Sequence, residues 1–224
     1  TPNLDRLAKQ SVVFNRACST CPLSSPHRAM LMTGAFPEKN GVPGNCHKDN
    51  RNGIPDSLIC FTDVLADAGY ETAYVGKTHW HRTEPLFDKE NNYVGTSEAP
   101  GGHYVYPYDT YIPEGRGRKS NKYWFQQLKD NHFNATAYSN RPELVGGQKD
   151  GEAYHYRRFT TGVEADVAIE FLRNRKGQRD ASKPFSLFLS VNPPHTPYHR
   201  LTDCKEEVFN QYYKDLKTEE VLLR

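Results

Sequence analysis

Apolar positions along the chain fall into two rhythms, one helical and one strand-like. Leu4, Leu7 and Ala8 sit at helical spacing behind Asn3, a residue type suited to a helix N-cap, so the chain opens inside a helix. Val12 and Val13 predict a short buried strand over 11–14. Residues 21–34 read as a turn entering a helix: Ser24 or Ser25 can cap it, Pro26 suits its first position, and Gly34 can end it. Phe61, Val64, Leu65 and Ala68 give one apolar face to a helix over 57–68, with Gly69 as its stop. A strand follows over 71–75. Val163, Val167, Ala168, Phe171 and Leu172 predict a helix over 162–175. The run 185–191 is apolar enough to be a strand central in its sheet, and 205–224 turns helical again.

Alternation of this kind predicts an α/β sandwich on a mainly parallel sheet. Such sheets bind ligands at the carboxyl ends of their strands. Ser24 follows the first expected strand, Lys77 and His79 the second, and His195 the third. Residues 82–160 break the rhythm, being rich in Tyr, Gly and Asn without a clean period. The segment 103–111 alone holds four tyrosines and a histidine. A long irregular insert inside a domain is commonly functional, so 82–160 is expected to shape a cleft. Stacking on sugar rings and ordinary loop packing both suit its tyrosines.

Composition narrows the classes. Of 224 residues, 36% are hydrophobic and 12% aromatic, with a mean hydropathy of −0.82. No apolar run approaches the ~18 residues of a membrane span. With 29 Lys and Arg against 27 Asp and Glu, the net charge of +2 gives no nucleic-acid signature. Five cysteines make an odd count, and Cys18 and Cys21 have no second pair with which to form a zinc site. Free or packed thiols are expected, ahead of a Cys18–Cys21 link. Both ends lie within helical pattern, so the chain is expected to be the middle of a larger domain.

The segment Ser24-Ser25-Pro26-His27-Arg28, followed by Thr33-Gly34, puts a hydroxyl at the amino end of a helix and a guanidinium one turn further on. A nucleophile or an oxyanion site fits that arrangement; so does an ordinary N-cap, which this segment alone favours. Three other stretches change the balance. They are Thr1-Pro2-Asn3-Leu4-Asp5-Arg6-Leu7-Ala8, then Gly69-Tyr70 leading through Thr72 to Gly76-Lys77 and His79, and finally Asn192 with Pro194-His195-Thr196-Pro197. Together and in this order they resemble the motifs of type I, formylglycine-dependent sulfatases of the alkaline phosphatase superfamily. The resemblance covers most of the chain and is weak across 82–160.

What the resemblance implies is specific. The fold would be a three-layer α/β/α sandwich with a mainly parallel mixed sheet, alkaline phosphatase-like and incomplete. Residues 1–224 would form part of a single catalytic domain truncated at both ends. Ser24 would be oxidised to formylglycine (3-oxoalanine), whose hydrate attacks the sulfur of a sulfate ester and then releases sulfate by re-forming the carbonyl. Arg28 would hold the diol, Lys77 the sulfate oxygens, and His79 would be the base for diol collapse. His195 would bind sulfate and protonate the leaving oxygen. A divalent cation, calcium or magnesium, would be bound by the oxidised Ser24 together with acidic pairs in stretches this sequence does not contain. The isolated chain is therefore expected to be inactive.

The signature opens with serine, not cysteine, and resembles the serine-type bacterial enzymes matured by a radical formylglycine-generating partner. Cys21 cannot substitute, since Pro and Arg are out of register with it. His27, His81 and His199 have no matching role, and Asn134-Ala135-Thr136 is read as a chance glycosylation sequon. The substrate expected is a sulfated sugar or polysaccharide, with aryl and alkyl sulfates left open, and the compartment expected is the bacterial periplasm. Two alternatives stand beside this reading. One is a phosphodiesterase or phosphonate ester hydrolase using unmodified Ser24; the other is a catalytically dead relative that binds sulfated glycans.

Overall fold

The computed structural model describes residues 2–47, 50–82, 109–128 and 132–216. In chain order its elements are α1 (Pro2–Ala8), α2 (Ser24–Thr33), α3 (Pro37–Asn40), α4 (Phe61–Asp67), β1 (Glu71–Lys77), β2 (Tyr123–Gln127), β3 (Ala135–Ser139), β4 (Tyr154–Tyr156), α5 (Thr160–Arg173), β5 (Phe185–Ser190) and α6 (Glu206–Tyr212). The strands form a five-stranded sheet in the order β4-β3-β2-β1-β5. β1 pairs in parallel with both β2 and β5, while β2–β3 and β3–β4 are antiparallel. Four strands thus run one way and β3 the other, a mixed sheet with a parallel centre.

Side chains on a strand alternate between faces, and both faces here are covered. Tyr74 and Trp124 point into a core with Ala29 and Met32 of α2 and Cys60, with Phe61 packed against it. Their neighbours Ala73, Val75, Tyr123 and Phe125 point the other way, into a core with Val167 and Phe171 of α5. Helix, sheet and helix therefore stack in three layers. In the second core the Phe171 ring lies 5.0 Å from Tyr123 and 5.7 Å from Phe185. Gly34 ends α2 in the left-handed conformation, as a glycine stop should.

Several expectations are corrected. Residues 11–14 form no strand: Val12 is 80% and Phe14 78% exposed. No strand lies beside this stretch among the described residues, so its backbone has no ladder to join. Among the described strands β5 stands at the end of the order and pairs with β1 alone, and Leu189 is 45% exposed. The helix expected over 57–68 begins later, at Phe61, where the Asp63 carboxylate accepts from the Cys60 N–H at 2.7 Å. The insert 82–160 builds β2, β3 and β4, which its lack of period hid. Of the helix expected over 205–224, α6 covers Glu206–Tyr212; residues 217–224, like the tyrosine-rich stretch up to residue 108, lie outside the described residues.

Candidate active site

Ser24 is the first residue of α2, and Leu23 holds the cap position with an extended backbone and no side-chain bond. Ser24 therefore neither caps the helix nor follows a strand. The helix start is sewn to the loop at 45–46. The Ser25 N–H donates to Asn45 Oδ1 at 3.0 Å, and Ser25 Oγ accepts from the Cys46 N–H at 3.0 Å. Pro26 has no N–H, so little of the amino end of α2 is left to greet an anion through its backbone. Charge for an anion must come from side chains.

His79 closes a ring of hydrogen bonds. Its Nε2 lies 3.2 Å from the Cys46 carbonyl oxygen, which can only accept. Nε2 therefore carries the proton, and in the neutral ring Nδ1 is an acceptor for the Ser24 hydroxyl at 2.9 Å. A hydroxyl donating to a tautomer-fixed imidazole is the geometry of a nucleophile with its base. His79 is 4% exposed and has a backbone φ of 53°, in the left-handed region where His is one of the more tolerant residues.

Arg28 ties three elements together. From α2 its Nη1 donates to the Lys77 carbonyl at 3.0 Å, at the end of β1, and to Ser190 Oγ, at the end of β5. The same Lys77 carbonyl accepts from the Tyr74 hydroxyl at 2.6 Å. The Lys77 side chain is 2% exposed. Just before it, Gly76 has φ 111° and sits against β5, where an added Cβ would overlap the Ser190 carbonyl oxygen. Only glycine lets β1 approach β5 this closely in that conformation.

His195 lies on the loop after β5, between cis peptides at Pro193–Pro194 and Thr196–Pro197. Its Nδ1 is 3.0 Å from the Thr196 carbonyl, and its own carbonyl accepts from His132 Nε2 at 2.8 Å. A cavity of about 490 Å³ opens beside Ser24 and Arg28, walled by Met32, Tyr74 and Phe188. His195, Lys77 and His79 are not among its lining residues. The structure thus joins Ser24, Arg28, His79 and the backbone of Lys77, and sets His195 on a separate loop.

Among the described residues no group of three or more His, Cys, Asp or Glu could hold a metal ion. The oxygens next to the Ser24 pair, Asn45 Oδ1 and the Cys46 carbonyl, are spent on Ser25 and His79, and Arg28 and Lys77 are cations. These residues do not form a calcium or magnesium site by themselves. The five cysteines are free. The Cys46 thiol is 2% exposed, and burial pushes its pKa up to about 12. Ser190 and the Cys46 carbonyl were not legible in the sequence, because a strand-end serine and a backbone acceptor carry no local signal.

Known proteins bear on this geometry. The family model described as Sulfatase matches residues 1–220. An endo-4-O-sulfatase of Bacteroides thetaiotaomicron is 36% identical over 228 residues, covering 100% of this chain and 41% of that protein. The N-acetylgalactosamine-6-sulfatase of Canis lupus familiaris is 32% identical over 210 residues, covering 89% of this chain and 36% of that protein. A solved structure from work on the metabolism of multiple glycosaminoglycans by Bacteroides thetaiotaomicron superposes with a TM-score of 0.82 at 35% identity, covering 100% of this chain and 43% of that one. The chain spans roughly two-fifths of the length of these relatives. Matched by the family model over nearly all its length, and folded like a solved relative, the chain belongs to the sulfatase family.

Proposed function

We propose that the whole protein hydrolyses sulfate esters of sulfated sugars or polysaccharides, with Ser24 as the residue that reacts once oxidised to formylglycine. The observation that carries this reading is the Ser24 hydroxyl on His79 Nδ1, one helical turn from the Arg28 guanidinium. Relatives named for 4-O-sulfate and N-acetylgalactosamine-6-sulfate chemistry support the sugar class. Residues 1–224 then belong to one catalytic domain, whose insert at 82–160 shapes the substrate cleft.

The oxidised residue supplies an aldehyde hydrate, with one hydroxyl for attack on sulfur and a second whose deprotonation lets sulfate leave. The rest is done by this chain. His79 takes the proton at Nδ1, because its Nε2–H is committed to the Cys46 carbonyl. Arg28, anchored to the ends of β1 and β5, holds positive charge beside Ser24, and Lys77 adds a second cation for the sulfate oxygens. His195 protonates the departing sugar oxygen from its own loop. The family's divalent cation, calcium or magnesium, needs acidic ligands beyond the described residues. A serine-type formylglycine-generating maturase and export to the bacterial periplasm complete the proposal.

A second reading has one observation in its favour: the unmodified Ser24 hydroxyl already sits on an acceptor nitrogen, as a phosphodiesterase or phosphonate ester hydrolase would need. Peptide mass spectrometry on the full-length protein from its native host separates the two. A Ser24 peptide lighter by one hydrogen molecule is expected. Intact serine, with phosphatase and no sulfatase activity, overturns the first reading in favour of the second. Intact serine with neither activity points to a binding protein.

A further inference from the structure

We infer that Glu164 is a positioning residue of the anion site, an uncharged carboxyl behind Arg28 that leaves the guanidinium free to engage the substrate's anionic group. The inference rests on the anion-binding role proposed for Arg28 and Lys77. Glu164 stands on α5 in the same stripe as Val167, Ala168 and Phe171, three, four and seven residues further on, all buried. It is 0% exposed, and neither carboxyl oxygen has a hydrogen-bond partner among the described residues. Its Oε1 lies 3.1 Å from where a Cβ on Gly76 would stand. Gly76 pairs in register with Ser190 and precedes Lys77. Arg28 donates to that same Lys77 carbonyl and that same Ser190 hydroxyl. Carboxyl and guanidinium therefore approach one pair of strand ends from the two faces of the sheet.

An ionised carboxylate buried without a partner is costly, so the group keeps its proton. Burial pushes the Glu164 pKa up to about 8, with Arg28 working against it. The other charged groups on the elements packed around it leave this balance in place. On α5, Asp166 is exposed and bonded to Arg158, and Glu170 and Arg173 lie further along the helix. On β1, Glu71 is at the opposite end, near Lys122 and Lys183, which leaves Lys77 beside Gly76. β5 carries no charged residue. Arg28 is the cation that answers to it.

The sign follows. Below its pKa, Glu164 is neutral and the site presents its full positive charge to sulfate. Above it, a carboxylate competes from behind. Bound sulfate in turn draws on the same cation and keeps the proton on Glu164.

The test is binding of inorganic sulfate to the full-length protein between about pH 7 and pH 9.5, in wild type, Glu164→Gln and Glu164→Leu. Wild-type affinity should fall above about pH 8 by up to tenfold per pH unit. Either variant, if folded, should match wild type near pH 7 and lose that fall. A fall that survives in a folded variant overturns the inference and leaves the sulfatase reading standing. No sulfate binding at any pH overturns both. Should neither variant fold, the infrared carbonyl band of the protonated carboxyl in wild type decides. Its loss on raising the pH should move to higher pH with sulfate, and indifference to sulfate overturns the inference.

Discussion

His79 concentrates three demands in one residue: a left-handed backbone, a ring nitrogen held by a carbonyl, and a second nitrogen open to Ser24. Replacing His79 with alanine should lower kcat/KM of the full-length protein by about 10²–10⁴-fold, the usual worth of a positioned base. A pH–rate profile of that variant should lose its acidic limb. Gly76→Ala is the harsher change. A Cβ there meets the Ser190 carbonyl in a conformation L-residues avoid, so the strand pair must part, at a cost of roughly 3 kcal/mol or more. Denaturant unfolding would show it. The motif residues were legible because the resemblance named them. Glu164 was legible in another way and went unread: an acid on the apolar stripe of a helix is the kind of buried polar residue that calls for a reason.

Among elements, α5 and β1 were the clearest in the sequence, because long periodic or bounded patterns report local structure faithfully. β2 was hidden, because Tyr123, Trp124 and Phe125 are followed by Gln126 and Gln127, all of them buried. Gln126 lies inside because it donates to Thr78 and Thr110 and accepts from the Ile112 N–H. Long-range bonds of this kind cancel the polar cost that an alternating pattern would otherwise show. The run 11–14 failed in the opposite way: four residues are too few to distinguish a strand from an apolar loop. On α5 the burial difference predicts an energetic one. Phe171→Ala should cost about 3–5 kcal/mol, while Leu172→Ala on the 46%-exposed side should cost far less. Paired chemical denaturation curves measure both.

At the scale of the whole molecule, two cores clamp one sheet, and Glu164 sits where the second core reaches the strand ends. Its pKa of about 8 in the folded state exceeds the ordinary 4.5. The folded chain therefore binds more protons between those values. The stability due to this group is complete below about pH 4.5 and is lost as pH rises through about 8. Across that window wild type should lose up to ~5 kcal/mol relative to Glu164→Gln, an upper figure for a fully buried group. Thermal melts of the two proteins at matched pH values give the difference directly.

Cys46 has a consequence of another kind. Its carbonyl steers His79, while its thiol is buried, unlike the exposed Cys18 and Cys204. The molecule thus carries its own reporter. Under native conditions an alkylating reagent should label Cys18 and Cys204 at once, and label Cys46 only at the rate at which the loop at 45–46 lifts from α2. That rate, followed by mass spectrometry, clocks how often the Ser24–His79 pair comes apart.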